Sequence, residues 1–142
     1  MAEIIEACIG AVRHGGRVLL LRRSPTDRSF AGAWCFPGGH VDALPVGGRE
    51  PLDVAVLREI HEETGIEARI VRAVGAIDSP LPARRRVYRI HGFLLEATHG
   101  AVRLSHEHVD ARWIAHPAEA PTPLAGVATG WLLGHAFPDA DG

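Results

Sequence analysis

From Pro51 to about Thr64 the chain has few options other than a helix. Pro51 suits a first helical position, where a missing N–H costs nothing, and Gly65 suits the residue just past the end. Val56 and Ile60 are expected to face the core, with Ala55, Glu59, Glu62 and Glu63 along another side. The three glutamates stand at relative positions 0, 3 and 4, one helical face. Like charges so placed destabilise an isolated helix by roughly 0.2–0.5 kcal/mol per pair. A divalent cation removes that cost, because hard cations such as Mg²⁺ take carboxylate oxygens. On spacing alone, a solvated acidic face explains the same glutamates and is the commoner origin of such a run.

Strands are expected on both sides of this helix. Ile4 to Arg13 and Arg17 to Arg22 read as a hairpin about His14-Gly15-Gly16. Ser24 to Ala33 reads as a loop, Trp34-Cys35-Phe36 as a short strand, and Pro37 to Arg49 as a Pro- and Gly-rich loop. Further strands are expected at Ala68 to Ala76 and Val87 to Glu96, separated by a turn at Ser79-Pro80-Leu81-Pro82. Thr98-His99-Gly100 reads as a second hairpin turn, and Val109 to Ile114 as a last strand with Trp113 buried. Leu124 to Phe137 carries helical spacing weakened by Gly126, Gly130 and Gly134. Strands, helix, strands, helix predicts an α/β fold, a mixed sheet with a helix packed on each side.

At 142 residues the chain is expected to be one domain, 1–142. A net charge of −2 gives no general attraction to nucleic acid or to anionic lipid. The acidic start, Met1 to Glu6, lacks the basic region of a signal peptide, and no apolar run is long enough to span a membrane. Cys8 and Cys35 are too few for a disulfide framework, so a reduced, cytoplasmic protein is expected. Cys35, between Trp34 and Phe36, is expected to pack and not to react.

Loop and helix taken together read Gly38-Gly39-His40-Val41-Asp42, then Glu50, seven residues, and Arg58-Glu59-Ile60-His61-Glu62-Glu63-Thr64-Gly65-Ile66. This resembles the Nudix box, G-x5-E-x7-R-E-U-x-E-E-x-G-U with U apolar. From Glu50 to Ile66 all eight specified positions match, and Trp34, Pro37, Gly38 and Gly39 resemble the family's approach to the box. One departure stands out. The slot of the first Gly holds Leu44, and ten residues separate Gly39 from Glu50, so Ala43 to Gly47 reads as a five-residue insertion beside the helix.

The resemblance implies a Nudix-type α/β/α sandwich and a Mg²⁺-dependent pyrophosphohydrolase, with Mn²⁺ able to substitute. It implies Glu59 and Glu63 as principal metal ligands, and Glu62 as a further ligand or the group that positions water. Arg58 is implied to hold a box carboxylate in place. Glu107, in Ser105-His106-Glu107-His108, is similar to a glutamate that many members use as ligand or general base. The base thus stays open between Glu62 and Glu107. A zinc reading of His106 and His108 lacks a third nitrogen or sulfur ligand at a suitable spacing. Arg22 and Arg23 end a strand where members often bind phosphate, and Gly38 and Gly39 complete the implied substrate-binding set.

The implied partner is a small nucleotide-type substrate, taken by a monomer or homodimer with no nucleic acid or membrane partner. A nucleoside diphosphate linked to another moiety, of ADP-ribose or nucleotide-sugar type, is the expected form. ADP-ribose members often carry a proline about sixteen residues past the box, and Pro82 sits sixteen after Ile66, though also in an expected turn. A nucleoside triphosphate pyrophosphohydrolase of mutator type is the rival. A Nudix-fold isomerase would need a catalytic-Cys motif that this sequence lacks. A non-catalytic nucleotide sensor would be expected to carry a degraded box, whereas Glu59, Glu62 and Glu63 are all present.

Overall fold

Leu19-Leu20-Leu21 has no polar residue on either face, which is how a strand buried on both sides reads. In the computed structural model, which describes residues 2–81 and 84–137, all three are fully buried. They belong to β2 (Arg17–Arg23), which follows β1 (Glu3–His14) through a two-residue turn. Gly15 and Gly16 both have positive φ, 58° and 76°, as that turn demands. The remaining strands are β3 (Trp34–Cys35), β4 (Gly38–His40), β5 (Ala68–Leu81), β6 (Arg86–Ala97) and β7 (His108–Ile114). They form one mixed sheet in the order β3-β2-β1-β6-β5, with β4 on β1 and β7 on β2. The β1–β6 pair is parallel and the others are antiparallel.

Alternate residues feed two separate cores. Cys8, Val12, Leu19, Leu21, Phe93 and Leu95 point to one face, where α1 (Leu52–Thr64) buries Ala55, Val56 and Ile60. Ala11, Val18, Leu20 and Leu94 point to the other, where α2 (Gly126–Leu133) contributes Leu132 and Leu133. Burying Val56 or Ile60 stabilises the α1 contact by roughly 1.5–3 kcal/mol each. Truncating Ile60 to Ala would therefore loosen the helix that carries the glutamates.

β1 meets β2 only at Arg13↔Val18 and His14↔Arg17, and its earlier half pairs with β4 instead. The two parts of the sheet thus diverge, and a cleft opens between them. β4 lies within the stretch expected to be loop, since two glycines and a histidine carry no strand pattern. The expected insertion closes on itself: Leu44 N–H donates to Gly48 O at 2.9 Å and Gly47 N–H to Leu44 O at 3.0 Å.

Several other expectations shift. Pro51 is the cap residue at ψ 147°, one position before the helix, and Gly65 ends it at φ 72°. Ala55 joins the core with Val56 and Ile60 because its position faces the sheet. β5 runs through Ser79, Pro80 and Leu81, where a turn is expected, because edge strands tolerate proline. Thr98 to Gly100 makes no hairpin, since β7 pairs with β2 and not with β6. Trp113 is half-buried, its indole N–H donating to Gly100 O at 3.2 Å. The last helix spans only eight residues, with glycines at both limits.

Candidate active site

Arg58 is the hub of the acidic face. Its guanidinium forks onto both oxygens of the buried Glu50. It also donates through Nη1 to Glu59 Oε1 at 3.1 Å and Glu62 Oε2 at 3.2 Å, and through Nη2 to His40 O at 3.2 Å. The Arg58 hydrogen bonds hold the Glu50 carboxyl below its ordinary pKa. In turn Glu50 Oε1 accepts the Asp42 N–H at 2.9 Å, so both ends of the inserted loop are pinned here. The insertion leaves Glu50 in contact with α1, and residues 43–47 do not line the cleft.

Glu63 is 3% exposed. Its Oε1 accepts the Gly38 N–H at 2.8 Å. Burial, together with the charges of Glu59 and Glu107, pushes its pKa up to about 8. Burial also raises Glu59, against Arg58, with Glu62 and Glu107 adding to the rise. Burial leads both rises and neighbouring carboxylates add to them, so the site is short of positive charge.

Two glycines make the approach tight. A Cβ on Gly38 would lie 2.1 Å from Cys8 O, and one on Gly39 2.7 Å from the Glu59 carboxylate. Only glycine lets β4 pass between β1 and the helix.

His108 is 6% exposed, at the start of β7. Burial lowers its pKa to about 4, so the ring is neutral. Nε2 lies 3.7 Å from Cys35 Sγ. Nδ1 lies 3.3 Å from Glu63 Oε2, a separation short enough for an ion pair, yet its angle makes no hydrogen bond. A neutral imidazole beside a carboxyl with so high a pKa is not a salt bridge. Ligand atoms of Glu63, Glu107 and His108 all fall within 4.8 Å of one another. Burial pushes the thiols of Cys8 and Cys35 up to about 12, consistent with packing.

The cleft has a volume of about 600 Å³, and Arg23, Gly38, Gly39, Glu63, Glu107 and His108 are among its walls. A family model described as NUDIX domain matches residues 6–131.

The chain belongs to the Nudix family.

It is similar to the CTP pyrophosphohydrolase of Escherichia coli (strain K12), with 29% identity over 123 residues, 87% of this chain and 84% of that protein. It is also similar to the ADP-ribose pyrophosphatase of Methanocaldococcus jannaschii, at 32% over 71 residues. That match covers 50% of this chain and only 38% of the relative. The crystal structure of a MutT NUDIX hydrolase from Burkholderia pseudomallei superposes with a TM-score of 0.78 at 32% identity, covering 93% of this chain and 97% of that one. This Nudix chain is accordingly a pyrophosphohydrolase of the family, and its fold is the Nudix α/β/α sandwich. Among the described residues, no helix is long and apolar enough to cross a membrane.

Within the Nudix frame the expected site residues divide. Glu63, Glu107, Gly38, Gly39 and Arg23 come together at the cleft. Glu59 lies behind Gly39, and Arg58 behind Glu59. Glu62 is engaged by Arg58 on the outer surface, 56% exposed and off the cleft wall. Arg22 is exposed and donates to Gly32 O at 3.1 Å, because strand alternation turns it away from Arg23. Sequence reasoning gave no role to His108 beyond an incomplete zinc pair. Its burial follows from a bulge between Arg22 and Arg23, where β7 pairs, and no local pattern shows that. Pro82 lies outside the described residues.

Proposed function

We propose that this protein hydrolyses a nucleoside triphosphate to the monophosphate and pyrophosphate, using Mg²⁺, with Mn²⁺ able to substitute. The observation that carries the triphosphate reading is the similarity to a CTP pyrophosphohydrolase along most of both chains. The shorter ADP-ribose pyrophosphatase match keeps a nucleoside diphosphate linked to another moiety as the second reading.

Glu59 and Glu63 are the proposed principal ligands, with Glu107 completing the set from β7's approach. The donor chemistry fits a divalent cation: crowded carboxylates, a cradle that a Cβ would fill, and a buried ring nitrogen without a partner. When bound, such an ion neutralises phosphate oxygens and lowers the pKa of water. The protein's own part is positioning. Gly38 N–H fixes one oxygen of Glu63, and Arg58 fixes Glu59 while Glu50 anchors Arg58. Arg23 reaches the cleft while held by Asp27 at 2.9 Å and Ser29 O at 2.9 Å, and its fork suits phosphate. Glu107 is exposed at the cleft and free to act as ligand or proton acceptor, whereas Glu62 is committed to Arg58.

The test is a phosphate-release screen with Mg²⁺ across CTP, other nucleoside triphosphates, ADP-ribose, nucleotide sugars, NADH and dinucleoside polyphosphates. Highest kcat/KM on a triphosphate, with pyrophosphate as product, is the expected outcome. Highest kcat/KM on ADP-ribose would move the assignment to the second reading.

A substitution separates the roles of Glu107. Glu107→Gln is expected to cut kcat by about a hundredfold or more, with the melting temperature nearly unchanged because the side chain is exposed. A fall in both would make Glu107 a structural anchor. Full activity would remove it from the chemistry and return the base to Glu62.

A further inference from the structure

Among the described residues, His108 is the one side chain of the cleft whose buried polar atom has no partner. A buried ring nitrogen left unpaired is costly, so such an atom asks for a ligand. Nδ1 sits within 3.3 Å of Glu63 Oε2, and the other oxygen of Glu63 is already taken by Gly38 N–H. Glu107 brings a second carboxylate into the same 4.8 Å group from the solvent side. Nε2 is turned to Cys35 Sγ, as an outer contact turns the ring of a metal-bound histidine.

We propose that His108 supplies a nitrogen ligand, through Nδ1, to a divalent cation held with Glu63 and Glu107, and that this position takes Mn²⁺ in preference to Mg²⁺. The inference rests on the reading of Glu63 as a metal ligand. It adds a ligand of a different kind. Mg²⁺ dehydrates reluctantly and demands near-ideal octahedral oxygen geometry, whereas Mn²⁺ also favours oxygen but, as the first of the transition-metal series, gives up water for an imidazole nitrogen more readily. Two carboxylates and one imidazole leave the exposed side of Glu107 for water and phosphate. Burial and the contact of Nε2 with Cys35 Sγ set the ring's orientation, so the nitrogen is placed before the ion arrives.

Pulsed electron paramagnetic resonance on the full chain loaded with Mn²⁺ alone reads this directly. The wild type is expected to show nitrogen coupling from one imidazole, replaced by the ¹⁵N pattern when histidine is ¹⁵N-labelled. His106→Gln, which removes the other cleft histidine, should retain the coupling, and His108→Gln should lose it. In His108→Gln the Mn²⁺ affinity should fall about tenfold or more, with Mg²⁺ affinity changing far less. Should His108→Gln fail to fold, the wild-type and His106→Gln spectra still decide. Bound Mn²⁺ without nitrogen coupling would overturn the proposal and leave the carboxylate site standing. Coupling lost in His106→Gln, or surviving in His108→Gln, would overturn it too. No binding of Mn²⁺ or Mg²⁺ at all would overturn it together with the metal reading itself.

Discussion

Glu63→Gln is expected to lower kcat by about two orders of magnitude or more, about 3 kcal/mol of lost transition-state stabilisation. It should also make the metal-free protein more stable in mildly alkaline solution. Gln keeps the shape and can still accept the Gly38 N–H, so the fold loses little. The charge is what changes. In the fold the Glu63 carboxyl has a pKa of about 8 against an ordinary 4.5, so the folded chain binds more protons than the unfolded one between these values. Stability of the metal-free wild type therefore falls as pH rises through that window. Glu63→Gln removes the fall, and its melting temperature at pH above about 8 should exceed the wild type's by several degrees. Saturating Mg²⁺ should reverse the order, because an ion that binds only the folded wild type stabilises it by mass action. Melting curves with and without chelator, paired with kcat on the same preparation, check both halves. A loss of activity under threefold would remove Glu63 from the metal site and leave its carboxyl as a buried structural partner of the Gly38 N–H.

Arg58→Ala is expected to be the most destabilising change at the site, by about 2–4 kcal/mol, or roughly 5–15 °C in melting temperature. The reason is Glu50. Its carboxylate is 8% exposed, and Arg58 supplies both of its charge-assisted hydrogen bonds. Without Arg58 a buried carboxylate keeps only the Asp42 N–H. Arg58→Lys should recover less than half of the loss, since an ammonium cannot fork onto both oxygens. Glu50→Gln introduced into Arg58→Ala should restore part of it, because the orphaned charge is then gone. Thermal and urea melts of these variants, with Glu50→Gln alone completing the cycle, measure this coupling. Additive losses would show that Arg58 and Glu50 do not act as a pair.

The helix carrying these residues was legible because its signals are local: a proline before it, a glycine after it, and two periodicities between. The two-sided core was legible in the strand–helix order, which called for a helix on each side of the sheet. What the sequence hid depends on distance. β4 is three residues with no strand propensity, held by pairing with β1 and by the contacts of Gly38 with Glu63 and of His40 with Arg58. Arg22 and Arg23 look equivalent until the sheet fixes which face of β2 borders the cleft, and alternation then points only Arg23 into it. Glu62 shares a helical face with Glu59 and Glu63 on paper, yet Arg58 four residues back draws it to the surface. His108 and Glu63 lie 45 residues apart (108 − 63), and nothing in either neighbourhood announces that they meet.

Metal dependence tests the central claim most directly. Protein stripped by EDTA and dialysed is assayed on CTP, then titrated with Mg²⁺, while pyrophosphate release is followed. Activity should be absent in chelator, return saturably with Mg²⁺ in the wild type, and stay at least about a hundredfold lower in Glu63→Gln at every Mg²⁺ concentration. Undiminished turnover in chelator would contradict a cation seated among Glu59, Glu63 and Glu107.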